Sequence, residues 1–521
     1  MVLIAIDNMK NGTSKNHIAG YAAVLAAVLV TISFYTDRMI FTFPAPDDDR
    51  RVLALADYGI CKVLAAAVLL LLCLTVMTLA FGKGKVRERL WKVVKCGLIY
   101  LPVIVIVLII KLPAGYVTND ELAICENAKN LVHDTWFCYL TVYYYIVSFM
   151  IFPFTYGPII MKALIEFFIV GYTVFRSEEY FGKKAGKFMY LLFLMYPVIA
   201  YTTSAHRLPV YFLLYLLVYV VLIFDLLEKR EASRLKLFLL FLAGAVLSIW
   251  RTEGIYLVAL IPILLFIVYP KIRNKKSIVF VILFFAAVRF IVSLPQDAVT
   301  GQDLSSAAND RMKPFYAYTI TNMFRNGLDV NANADDLAAV DAYIPLEAID
   351  AINDHYGDIN YEDVLILIKE EFGGIRQDAG YTQYYEFTQA CRHIFANNPG
   401  VFLRTRWGAF CYAALPYHIT FSGMQIRQLV SFALSAVKSF AYNLFIPVIF
   451  LMILCVYSLF RKKWFTFFAT GGLMAHFALV FILAPASYFK YYFPVYIMGW
   501  FYVIFLAIRH FTKKDAGGDI V

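Results

Sequence analysis

The chain has 521 residues, 61% of them hydrophobic and 16% charged, with a formal net charge of +10 and a mean hydropathy of +0.68. No soluble globular domain has an interior large enough for that share of apolar residues, so composition excludes a water-soluble enzyme and predicts an all-α polytopic membrane protein. The positive charge calls for no nucleic-acid partner, because the cations gather in short loops at the lipid surface.

Runs of about 17 to 22 apolar residues can cross a bilayer as a helix. In chain order they fall at 18–36, 59–81, 96–112, 158–176, 188–204, 207–227, 236–250, 255–270, 277–294, 435–460, 464–483 and 488–508, about twelve transmembrane helices. The first is too long for the apolar core of a signal peptide. No small-residue cleavage site follows it at 41–49, so it is expected to be retained.

Lysine and arginine mark every second loop. They cluster from Lys83 to Lys95, from Arg176 to Lys187, from Lys229 to Lys236, from Lys271 to Lys276, from Arg461 to Lys463 and from Arg509 to Lys514. Such clusters stay on the cytoplasmic side, so both termini are expected inside and the loop at 112–157 outside. A further apolar run at 136–156 is ambiguous. Full crossing would move every later basic cluster outward, so it reads as an interfacial or re-entrant helix, its Tyr139, Tyr143, Tyr144 and Tyr145 suited to head-group depth.

After 295 the composition turns polar and rich in aspartate, with amphipathic helical patterns such as 361–372. A small external helical domain is expected there, followed by an interfacial helix leading into the next span. The aspartates lack the spacing of a calcium loop. The expected organisation is two N-terminal spans and a basic loop (1–95), a membrane core (96–294) containing the first external loop (112–157), the external segment (295–434), and the C-terminal spans with a short tail (435–521). Cys125, Cys138, Cys391 and Cys411 are expected outside, where a disulfide could form, and no CxxC metal spacing occurs.

Asp120 and Glu121 stand together just beyond the third span. Adjacent carboxylates at a membrane surface are costly to place and chemically useful, which makes them candidates for acid–base work; a solvated loop is the plainer reading. Lys162, Arg251 and Lys490 lie near the outer ends of spans, Lys490 flanked by Tyr491 and Tyr492. Lys162 and Glu166 are also spaced to pair along one helix face, Arg251 and Glu253 to neutralise each other, and Lys490 to anchor at the interface. His206 and Arg207 could line a cavity or serve a metal, or be structural.

The order of these parts resembles the GT-C superfamily of integral-membrane glycosyltransferases that use polyprenyl-phosphate sugars. A span is followed by a loop opening Thr118-Asn119-Asp120-Glu121, then an aromatic amphipathic stretch, then a span ending in Phe181-Gly182-Lys183-Lys184-Ala185-Gly186. Trp250-Arg251-Thr252-Glu253-Gly254 and Tyr488-Phe489-Lys490-Tyr491-Tyr492-Phe493-Pro494 add to the likeness, which is to the protein mannosyltransferase-like and aminoarabinose transferase-like branch, family 39, over about residues 96–510. Lys490 stands where that family commonly has arginine, and its Pro-Pro-Leu-type stretch has only Phe152-Pro153-Phe154 as an echo.

The resemblance implies an inverting transferase in a bacterial plasma membrane, moving a sugar from a polyprenyl-phosphate donor to an outer-face acceptor. Asp120 would be the base, and Glu121 would orient the acceptor or a divalent metal ion. Lys162, Arg251 and Lys490 would hold the donor phosphate, with His206, Arg207, Glu253, Tyr491 and Tyr492 in the substrate cavity. Two other classes remain: a transporter or flippase, which should show internal repeats and discontinuous spans, and a polysaccharide polymerase or ligase, for which Arg392, Arg404 and Arg406 are the external arginines.

Overall fold

The computed structural model describes residues 14–111, 118–132, 137–204, 208–272, 275–301, 312–356, 363–376, 378–415, 433 and 436–512. Every regular element among them is helical. In chain order the main helices are α1 (Ser14–Ile40), α2 (Arg51–Phe81), α3 (Lys85–Lys111), α4 (Asn119–Lys129), α5 (Tyr139–Ile151), α6 (Gly157–Phe181), α7 (Lys183–Leu194), α8 (Tyr196–Ser204), α9 (Pro209–Leu227), α10 (Arg234–Trp250), α11 (Thr252–Val268) and α12 (Lys275–Gly301). They continue with α13 (Lys313–Arg325), α14 (Ala334–Asp341), α15 (Leu346–Tyr356), α16 (Tyr381–Asn397), α17 (Pro399–Ala414), α18 (Ala436–Phe460), α19 (Trp464–Leu483) and α20 (Phe489–Thr512).

Nine of these among the described residues are long and apolar enough to cross a membrane, namely α1, α2, α3, α6, α9, α12, α18, α19 and α20. The count rises to ten if α7 and α8 make one span, which is below the twelve expected from apolar runs. Two causes account for the shortfall. The run at 188–204 is bent by 62° between α7 and α8, because Met195 is extended and Pro197, which lacks an N–H, can only open a new helix. The runs at 236–250 and 255–270 become the shorter helices α10 and α11, since Arg251 leaves the helical conformation and the chain turns there.

The chain divides into two compact units, Met1–Val299 with Ile453–Gly472 and Ile497–Val521, and Thr300–Met452 with Leu473–Tyr496. The C-terminal helices, expected as a separate segment, are thus shared between the units. In the first unit α9 is buried along most of its length, as is α6. Helices α3 and α6 cross closely because Gly97 and Gly171 carry no side chains: a Cβ on Gly171 would lie 2.4 Å from the Val93 carbonyl oxygen, and one on Gly97 2.8 Å from the Phe167 ring.

The basic loops meet on one face of this unit. Arg89 at the start of α3 bonds Glu179 at the end of α6 (2.9 Å), and Arg230 beyond α9 bonds the same carboxylate (3.0 Å). Asp225 of α9 receives Lys236 of α10 at 2.6 Å and lies 3.6 Å from Arg176 of α6. Helix α3 begins and α6 ends on this face. Helix α5, with 13 residues, is about 20 Å long against a hydrocarbon core of about 30 Å.

The second unit holds its own apolar core, built from α13, α15, α16 and the short stretch around Ile366, with Tyr318, Ile349, Phe387 and Ile394 at its centre. Arg406 of α17 is buried and donates to the carbonyls of Phe481 (2.7 Å) and Ala484 (2.9 Å), satisfying the C-terminal end of α19. Of the amphipathic stretch expected at 361–372, the described part forms only a four-residue helix, Leu365–Ile368, and a 3-10 turn. Most of the expected interfacial helix, 416–432, lies outside the described residues.

Candidate active site

The first-loop carboxylates sit on a helix whose start is written in its sequence. Thr118 is extended and its hydroxyl accepts from the Glu121 N–H (3.2 Å), while the Glu121 carboxylate accepts from the Thr118 N–H (3.3 Å), a reciprocal capping box. Both acids fall in the first turn, where the helix dipole favours negative charge. The two nevertheless differ in environment. Asp120 is half-exposed and Glu121 is buried at 5%.

Lys162 of α6 has no exposed surface. Its ammonium donates to the Thr203 carbonyl, and the negative charges acting on it are those of Glu166 and Glu121. Glu166, one helical turn on, is equally buried and accepts from the hydroxyls of Thr203 (2.6 Å) and Thr202 (3.1 Å). Tyr100 of α3 reaches the Thr203 hydroxyl at 3.1 Å. The cluster ties α3 and α6 to the π-helical end of α8. Lys162, expected to grip the donor phosphate, therefore has its ammonium turned inward and reaches no solvent. The reason is energetic: a buried ammonium is tolerated only with a carboxylate and acceptors around it.

Arg251 is extended at the turn between α10 and α11, and its Nε donates to Glu253 two residues on. Their side chains are 12% and 13% exposed, so the pair lies nearly flush with its surroundings. Below it run the rings of α9: Tyr211 lies 6.3 Å from Trp250, and Tyr215 and Tyr219 stack at 5.1 Å. The Trp250 indole N–H donates to the Thr141 hydroxyl of α5 (2.9 Å). This fixes the turn against the aromatic helix.

In the second unit Lys490 lies over the Tyr488 ring at 4.1 Å and the Tyr491 ring at 5.6 Å. The Tyr488 hydroxyl donates to Asp363. Tyr492 is buried and packs on Phe410 at 5.4 Å, away from the solvent-facing cavity expected of it. The Tyr491 carbonyl meets a His476 ring nitrogen at 2.9 Å. His206 and Arg207 lie outside the described residues.

The structure thus brings Arg251 to Glu253, and it gives Asp120 and Glu121 different environments. Sequence reading missed Tyr100, Thr202 and Thr203, whose hydroxyls give no signal in an apolar pattern. It also passed over a buried group near the N-terminus: Lys62 of α2 bonds Asp37 and the Ser33 hydroxyl, and Asp57 accepts from Tyr143 (2.5 Å). Charges inside apolar runs were the available sign. Among the described residues no three His, Cys, Asp or Glu side chains converge on a point that could hold a metal ion, so Asp120 and Glu121 do not by themselves make a cation site. No disulfide joins any of the eight cysteines, all of which are among the described residues. In comparisons with known proteins, no family model, no curated protein and no solved structure matches this chain.

Proposed function

We propose that this protein is an inverting glycosyltransferase of the GT-C kind, moving a sugar from a polyprenyl-phosphate donor to an acceptor at the outer face of a bacterial plasma membrane. The observation that carries the reading is the division of labour within the carboxylate pair. Glu121 is buried and closes the cap, while Asp120 stands partly exposed on the same capped turn. A general base needs that combination of fixed position and access. In the reaction Asp120 takes the proton of an acceptor hydroxyl, the oxygen attacks the anomeric carbon, and the bond to the lipid phosphate breaks. Arg251, at the turn between α10 and α11, is the group assigned to the departing phosphate, whose charge it would stabilise.

The test is transfer by purified protein in proteoliposomes supplied with a polyprenyl-phosphate sugar. Asp120→Asn should melt at the same temperature as the parent and lose activity by about a hundredfold or more. Full activity in that variant removes the assignment.

A transporter or flippase is the second reading, and one observation favours it. The bend between α7 and α8 brings a broken helix and its π-helical end against the buried Lys162 and Glu166, an arrangement of the sort that carries substrate or ions. Flux of a lipid-linked sugar across vesicles without transfer to an acceptor would select it. Of the arginines of the polymerase or ligase reading, Arg406 caps α19 and Arg392 donates to the Tyr316 hydroxyl (2.8 Å), while Arg404 is exposed and donates to the Asn326 carbonyl (3.4 Å).

A further inference from the structure

On the face where the basic loops meet, the first unit encloses a cavity of about 610 Å³, well within the roughly 300–1,000 Å³ of small-ligand sites. Its rim carries Lys229, Arg230, Lys271 and Lys462 against the single carboxylate Glu231. Its wall is apolar, with Leu226, Ile267 and Phe465, and Trp464 stands beside them. Arg230 is occupied by Glu179 and Glu228, and Lys271 by Glu231. Lys229 and Lys462 have no carboxylate partner among the described residues.

Those two lysines share a second property. Among the described residues only three that are not glycine have positive φ, and two of them are Lys229 (50°) and Lys462 (55°). Each follows a helix C-terminus, and the next residue closes the turn: Arg230 N–H to the Asp225 carbonyl (2.9 Å) and Lys463 N–H to the Ser458 carbonyl (2.8 Å). Glycine or asparagine is what this backbone prefers. Lysine at both positions sets two side chains without carboxylate partners among the described residues at the edge of an apolar-walled cavity, at the expense of backbone strain.

We propose that this cavity binds an anionic phospholipid, its phosphate taken by Lys229 and Lys462 and an acyl chain lying along Leu226, Ile267 and Phe465. The site is independent of the transfer reaction. A basic pocket between helix ends with an apolar wall suits an amphiphile that carries a phosphate, whereas a free phosphate has no use for the wall.

The test is native mass spectrometry of the full chain after exchange into bilayers of phosphatidylglycerol or of phosphatidylcholine. One phosphatidylglycerol should stay bound and phosphatidylcholine should not. K229N/K462N, which suits the left-handed backbone, should keep its melting temperature and bind about tenfold more weakly. Leu226→Trp, which fills the slot and leaves the cations in place, should also release the lipid. K92Q/K95Q, on the exposed side of α3, should not. Equal retention in K229N/K462N overturns the proposal, as does an equal loss in K92Q/K95Q, which would mean general attraction to the leaflet. A fall in melting temperature with unchanged retention would mean the lysines serve only the helix ends. Displacement by an equal concentration of inorganic phosphate would make the ligand a soluble phosphate.

Discussion

Lys162 illustrates how a single buried charge constrains what surrounds it. Removing either Lys162 or Glu166 takes from the other the opposite charge one helical turn away and leaves it buried with hydrogen bonds alone, a loss of up to about 3–5 kcal/mol. Lys162→Met and Glu166→Gln should therefore each lower the unfolding temperature in detergent sharply. The double variant K162M/E166L, which removes both charges, should recover most of the difference. If the double variant is as damaged as the sum of the singles, the two groups do not act as a pair. The capping box at α4 is a smaller matter. Thr118→Ala should cost about 1 kcal/mol of local helix stability and, if Asp120 is the base, should reduce turnover by loosening its position. Hydrogen exchange on α4 beside the transfer assay would separate the two effects.

Between helices, contact is governed by what is missing. Gly171 lets α6 lie against the α3 backbone, and the nearest obstruction to a methyl group there is a carbonyl oxygen that cannot rotate away. Gly171→Ala should force the helices apart and cost about 1–3 kcal/mol, read as a lower melting temperature. Gly59 of α2 has nothing within 4 Å of its missing Cβ, so Gly59→Ala should change stability by less than about 1 kcal/mol. Equal effects at the two positions would mean that the α3–α6 crossing is not limited by close approach. The break between α7 and α8 belongs to the same scale: Pro197 and the extended Met195 decide it, and no apolar count could.

For the first unit as a whole, the charge network predicts its sidedness. Arg89, Arg176, Arg230 and Lys236 converge with Glu179, Asp225 and Glu228 at one end of the bundle. In a cysteine-free background, single cysteines at Lys83, Lys271 and Arg461 should react with a membrane-impermeant reagent only after the cytoplasmic side is opened. Cysteines at Asn119 and Thr252 should react in intact cells. Labelling of Asn119 from the cytoplasm alone would put the first-loop carboxylates on the wrong side for the proposed chemistry.

Much of this was legible in the chain. Long apolar runs cannot be hidden in water, so the membrane class follows from composition, and regular alternation of basic loops gave the grouping of helix ends that the ion pairs display. Thr118 with Glu121 three residues on is a local signal, and α4 begins where it says. Tertiary structure alone decided the rest, because burial depends on residues distant in sequence. Nothing in Asp120-Glu121 tells which carboxylate turns inward; that depends on how α4 packs against the rest of the chain. Likewise a lysine at a helix end reads as a topology signal, and only the meeting of Lys229 with Lys462 over an apolar slot makes it part of a cavity.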